Sequence, residues 1–236
     1  MNIHLRKFSN LYKIEEMDSI KEALIINFYS HKLHVEDTCN LLYPSDGMMG
    51  LCEDIISCIL NVECEEIVRI IKKIGSVFEI LHGDVPQFSS LDDCAYKVPL
   101  LVKDCGINDL SYSQLGFMLR TQPRNESADT KYGENQSKTA AQMGLCTVRN
   151  ARIYPSYLGV AFCSLDKELQ LKLLPKLILF IPYIYNQFAT NAKYEDIIAS
   201  VTFLSQSTQK RRLSSIWSLI NQVNKVLPYE FQIIRY

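Results

Sequence analysis

Tyr132-Gly133-Glu134-Asn135-Gln136-Ser137-Lys138-Thr139-Ala140-Ala141-Gln142-Met143-Gly144 is the stretch on which the fold turns. Tyr132, Gln136, Ala140 and Met143 share one helical face, small Ala140 suits close helix packing, and Gly144 stands where a helix ends. Asn135, Lys138 and Gln142 fall on the other side, with Glu134 at its edge. Upstream, Tyr112 to Leu119 reads as a short helix with Ser111 as its cap. Arg120 to Thr130, polar and carrying Pro123, reads as an exposed, mobile loop. Downstream, Leu145-Cys146-Thr147-Val148 and Arg152-Ile153-Tyr154 are β-prone pieces joined through Arg149-Asn150-Ala151.

Helix, helix, then a small hairpin is the order of a winged helix-turn-helix. The rest of the chain reads as helical, so the expected class is mainly α. Met17, Ile20, Leu24 and Phe28 recur at helical spacing, and further helices are expected over 48–60, 65–81 and 92–105. His82-Gly83-Asp84 begins a break. A run from Asp166 to Phe188 is expected to be helical, kinked or split at its prolines. Lys193 to Val201 and Ser205 to Val226 then form a second pair of helix-turn-helix proportions. Three regions follow: an acidic helical region at 1–106 for partner binding or dimerisation, a winged helix-turn-helix at 107–163, and a DNA-binding helical unit at 164–236.

Charge divides along the same line. Of 236 residues, 1–106 hold 10 Lys+Arg against 17 Asp+Glu, a balance of −7. Residues 107–236 hold 15 against 9, a balance of +6, which points the second half at an anionic partner. Hydrophobic residues at 47% are enough for a packed core. The polar opening MNIHLRKFSN argues against a signal peptide, and the eight cysteines form no CxxC pair. A cytoplasmic chain with reduced, mostly buried thiols is expected. The greasiest run, Leu173 to Tyr185, is too short for a bilayer that needs roughly 20 residues, so no membrane is expected.

Two helices carry residues suited to nucleic acid. On the first, Asn135 and Gln142 can pair with an adenine edge, and Lys138 can reach guanine or phosphate. Arg149 and Arg152 sit where a wing touches the neighbouring backbone. On the last helix, Leu213, Ile216, Trp217, Ile220 and Val223 make one apolar face. Ser207, Arg211, Ser215 and Ser218 lie opposite, with Ser214 beside them and Lys210 and Arg212 flanking. Serines allow close approach to a phosphate backbone, and cations at a helix start supply charge where the dipole also favours an anion.

The same residues carry a resemblance. Tyr132-Gly133-Glu134-Asn135-Gln136-Ser137-Lys138-Thr139-Ala140-Ala141 resembles the YGENHxKxA pattern of winged-helix DNA-recognition domains associated with bacterial restriction endonucleases, Gln136 standing in place of His. Ser111 to Gly116 fits the preceding helix of those domains, and Tyr157 to Phe162 with the Leu-rich run to Phe188 fits their strand-turn-helix continuation. Leu204-Ser205-Gln206-Ser207-Thr208-Gln209-Lys210-Arg211-Arg212-Leu213-Ser214-Ser215-Ile216 is similar to their LSxSTxKRRxSTV segment. Two motifs in order, about seventy residues apart, make the resemblance specific, and it covers roughly residues 107–224. It implies sequence-specific binding of double-stranded DNA in a restriction or antiviral defence system.

No catalyst is legible. The acidic-x-Lys string Asp129-Thr130-Lys131 falls in the expected loop, and the histidines His4, His31, His34 and His82 all lie in the acidic half. No GxSxG, Walker loop or GxGxxG occurs, and neither a metal nor a cofactor is expected. Catalysis is expected from a separate nuclease or ATPase, and residues 1–106 are expected to bind either that partner or a second copy. A transcriptional regulator and a winged-helix scaffold that holds proteins are the alternatives.

Overall fold

In the computed structural model the described residues are 53, 56, 57, 59–76, 80–106, 110–120, 122 and 125–235. The helix expected over 17–28, most of that over 48–60, and His4, His31 and His34 lie outside them. The described chain is mainly helical with one small sheet. Helix α1, Cys64–Ile74, buries Ile67, Val68, Ile70 and Ile71. Glu65 and Glu66 in its first turn and Lys72 and Lys73 in its last complement the helix dipole. It stops at Gly75, whose φ of 82° breaks the helical path, short of the expected Leu81; Phe78 of the expected apolar stripe lies outside the described residues.

A 3-10 turn at His82–Asp84 and a π-helical turn at Asp93–Lys97 lead into α2, Val98–Cys105. Strand β1, Leu110–Ser111, hands directly to α3, Tyr112–Leu119. The expected cap is a reciprocal pair: Ser111 Oγ accepts from the Gln114 N–H at 3.2 Å, and Gln114 Oε1 accepts from the Ser111 N–H at 2.9 Å. Helix α4 runs Glu126–Gln142, starting well before Tyr132. Asn125 Oδ1 accepts from the Ala128 N–H at 2.8 Å and nucleates the first turn, so the expected loop is helix from Glu126 onward. Gly144, at φ 78°, ends α4 with two back-bonds, Leu145 N–H to Ala140 O and Gly144 N–H to Ala141 O, both 2.9 Å.

Strands β2, Cys146–Arg149, and β3, Arg152–Pro155, form the expected hairpin. The sheet is antiparallel in the order β1-β3-β2, with Ile153 paired to both Leu110 and Val148. Asn150 and Ala151 turn the hairpin at φ 48° and 59°.

Helices α5, Tyr157–Ser164, α6, Lys167–Leu179, and α7, Pro182–Ala189, follow. The break falls before Pro182, whose fixed φ suits a helix start, while α6 runs on through Pro175. Every residue from Leu173 to Phe188 is buried. Helices α8, Tyr194–Ala199, and α9, Gln206–Asn224, make the closing pair.

One apolar cluster runs from Ile56 to Ile233. The described part of 1–106 does not stand apart from the rest. Helix α1 packs on α6 and α7, while the π-helical turn and α2 pack on α4, α5 and the sheet. Lys176, 5% exposed, donates to the carbonyls of Ile59 and Leu60 at 2.9 Å each, pinning the end of the preceding helical residues to α6.

Candidate nucleic-acid interface

The outward face of α4 carries Lys131, Glu134 and Lys138. The Glu134 carboxylate accepts from both lysines at 2.7 Å, one a turn behind it and one a turn ahead. Partial burial pushes its pKa up, but the hydrogen bonds from Lys131 and Lys138 outweigh this and hold it below the usual carboxylate value. Lys131 was missed in the sequence because 120–130 read as a loop; the Asn125 cap was the available signal. Asn135 is half-buried. Gln136, Ala140 and Met143 face inward as expected, and the Gln136 amide pairs with the Ser90 backbone at 3.2 Å in its satisfied orientation.

Between α4 and α9 lies a strap, Asp84–Phe88, held from both sides. From α4, Gln142 Nε2 donates to Asp84 O at 2.9 Å and Thr139 Oγ1 to Gln87 O at 3.2 Å. From α9, Arg212 donates to Val85 O, and Ser215 Oγ accepts from Phe88 N–H at 3.0 Å and donates to Phe88 O at 3.1 Å. The two sequence motifs are thus drawn together around five backbone residues. The expected DNA contact at Ser215 is corrected by this arrangement. Ser215 is 2% exposed and spends its hydroxyl on Phe88, while Gln142 and Arg212 are half-buried against the strap. Burial lowers the Arg212 pKa and the neighbouring Arg211 charge adds to it, whereas Glu134 opposes the shift. The polar face of α9 read as solvent-exposed is therefore partly an internal seam.

Lys210 and Arg211 are exposed, and neither forms an ion pair among the described residues, in contrast to Lys131 and Lys138. Ser207 and Ser214 are exposed beside them. Ser205 occupies the N-cap of α9 without bonding the first-turn N–H groups; its hydroxyl donates to Thr208 Oγ1 at 2.9 Å instead. At the hairpin end, Arg149 and Arg152 are directly opposite one another and exposed.

A second polar cluster sits behind the start of α4. A cleft of about 560 Å³ is lined by Ser90, Asp93, Lys97, Arg120 and Tyr132, among others. The buried Asp93 carboxylate accepts from Tyr132 Oη at 2.5 Å and Lys97 Nζ at 2.6 Å, and the Arg120 guanidinium lies 4.6 Å over the Tyr132 ring. Arg120 also approaches Asp129 at 3.4 Å; the Asp129-Thr130-Lys131 string lies within α4, and Asp129 is buried. These pairs brace α4 against the π-helical turn.

Among the described residues no group of three or more His, Cys, Asp or Glu could hold a metal ion. None of their helices is long and apolar enough to cross a membrane. Comparison with family models, curated proteins and solved structures finds no match to this chain.

Proposed function

We propose that this chain is a sequence-specific double-stranded DNA-binding protein, the recognition subunit of a restriction or phage-defence system, acting with a separate nuclease or ATPase. In this reading β1, α3, α4, β2 and β3 form a winged helix-turn-helix within 107–163, with α4 in the major groove and the Arg149–Arg152 hairpin as the wing. The α8–α9 pair is a second unit whose Lys210 and Arg211 grip the backbone. The observation that carries it is the strap, which joins the two motif-bearing helices, α4 and α9, through Gln142 to Asp84 O and Arg212 to Val85 O. A duplex facing α4 is then within reach of the start of α9. The element order, the sheet order β1-β3-β2 and the basic balance of 107–236 agree with this reading.

Selection of bound duplexes from a random pool, at two salt concentrations, tests the proposal. Enrichment of a short motif, with retention that falls steeply as salt rises, is expected. Failure to retain any duplex at low salt would reject it. A winged-helix scaffold is the second reading, favoured by Phe117 and Met118, which are 64% and 43% exposed on α3. Co-purification with a protein partner and indifference to DNA would select it.

A further inference from the structure

Apolar side chains stand in water beside the free cations of α9. Phe203, in the turn before α9, is 60% exposed, and Leu81, ahead of the strap, is 63% exposed. His82, also exposed, meets the Phe203 ring edge-on at 5.7 Å, so side chains from two distant segments meet there, with Leu81 next to His82 in the chain. Burying a Leu or Phe side chain is worth roughly 1.5–3 kcal/mol each, so such a patch signals something that covers it. The surrounding chemistry selects the occupant. Residues 202–212 contain no carboxylate, and their exposed polar side chains include Lys210, Arg211 and the hydroxyl of Ser207. In the strap, the Asp84 carboxylate is turned back onto the Leu81 N–H at 2.8 Å. An apolar tip on a cationic, donor-rich rim matches a polyanion that can also expose flat apolar surface.

We infer that Phe203, supported by Leu81 and His82, is a wedge that inserts beside a base step of the bound duplex while Lys210 and Arg211 hold the flanking phosphates. The inference rests on the DNA-binding reading above and adds a distortion of the DNA to it. Wedge residues unstack a step at an energetic cost that is smallest where pairing is already broken. The wild-type protein therefore discriminates between two duplexes of one sequence, differing only in a central mismatched step.

Anisotropy titrations with that pair are the test. The expected result is that wild type binds the mismatched duplex about tenfold more tightly, a preference of about 1.4 kcal/mol. Phe203→Ala is expected to bind both duplexes with the wild-type affinity for the paired one, with an unchanged circular dichroism spectrum. The double variant L81A/F203A should behave the same way. Retention of the preference in F203A, or its absence from wild type, overturns the wedge and leaves the DNA-binding reading standing. Failure of wild type to bind either duplex overturns both.

Discussion

Gly116 on α3 and Gly133 on α4 meet where the two helices cross, with backbone against backbone. A Cβ at Gly133 would lie 2.0 Å from Tyr112 O and 2.9 Å from Gly116 N, and one at Gly116 would lie 1.9 Å from Asp129 O. Neither neighbour is a flexible side-chain tip, so neither can yield. The crossing sets the angle at which α4 leaves α3, and with it the direction of Lys131, Glu134 and Lys138.

Gly133→Ala is accordingly expected to cost on the order of 3 kcal/mol or more, since overpacking against backbone forces the helices apart. Gly83→Ala is the control: its Cβ would meet nothing within 4 Å, and a change within about 0.5 kcal/mol is expected. Urea unfolding midpoints of the two variants measure the difference. Equal midpoints would mean that the crossing is loose.

Cations that are already paired should matter less than those that are not. Arg211→Ala is expected to weaken duplex binding about five- to tenfold and to flatten the dependence of log affinity on log salt by about 1. Lys138→Ala changes affinity less than about twofold, because Glu134 already holds the Lys138 ammonium away from the duplex. Glu134→Gln releases both Lys131 and Lys138 and raises non-specific affinity. Anisotropy across a salt series separates the three, and a larger effect at Lys138 than at Arg211 would reverse the assignment.

The hairpin turn stores strain. Asn150 tolerates its φ of 48°, but Ala151 holds 59°, where a Cβ crowds the carbonyl. Ala151→Gly is expected to stabilise the fold by about 1 kcal/mol, read from the thermal midpoint, with duplex affinity unchanged. A loss of stability would mean that the turn is not under strain.

Buried thiols give the fold an alkaline limit. Burial pushes Cys64 and Cys163 up to about 11, and burial raises Cys94 and Cys146 as well. A folded pKa above the unfolded value favours folding below pH 9.0, and that contribution is lost as pH climbs towards 11. Lys176 acts in the opposite sense: burial lowers its pKa, so its penalty is relieved as pH rises towards 10.5. Four thiols against one amine give a net loss of stability above pH 9.0, measurable by denaturant titration at stepped pH. In the native state at pH 8, Cys94 and Cys146 should resist alkylation while half-exposed Cys105 reacts before them, as mass spectrometry of labelled peptides would show. Early labelling of Cys146 would contradict its placement between α4 and the sheet.

Local chemistry made much of this fold legible. Ser111 with Gln114, Gly144 after Met143, Asn150-Ala151 between two β-prone pieces and Pro182 in an apolar run each act within a few residues. Their consequences, a capped α3, a terminated α4, the hairpin and the split between α6 and α7, could be derived without tertiary contacts. Helical periodicity likewise separated the inward Gln136, Ala140 and Met143 from the outward Lys138. The early start of α4 was within reach through Asn125 and was hidden by the polarity of 120–130, because exposed helix and exposed loop have similar composition.

Partners distant in the chain decided the rest. Ser215 looks like a surface serine by its position on the α9 wheel, and becomes an internal one because Phe88, 127 residues away, lies over it. Lys176 reads as an interruption in an apolar run, and becomes the cap for Ile59 and Leu60. The described part of the acidic half shares one core with the basic half, though charge counting divides them, because burial depends on which apolar faces meet. A sequence specifies where a chain turns and which face of each helix is apolar. Which polar groups remain for a ligand is settled only after the tertiary fold has used the others to satisfy buried backbone, since an unpaired buried carbonyl or N–H costs about 1–3 kcal/mol.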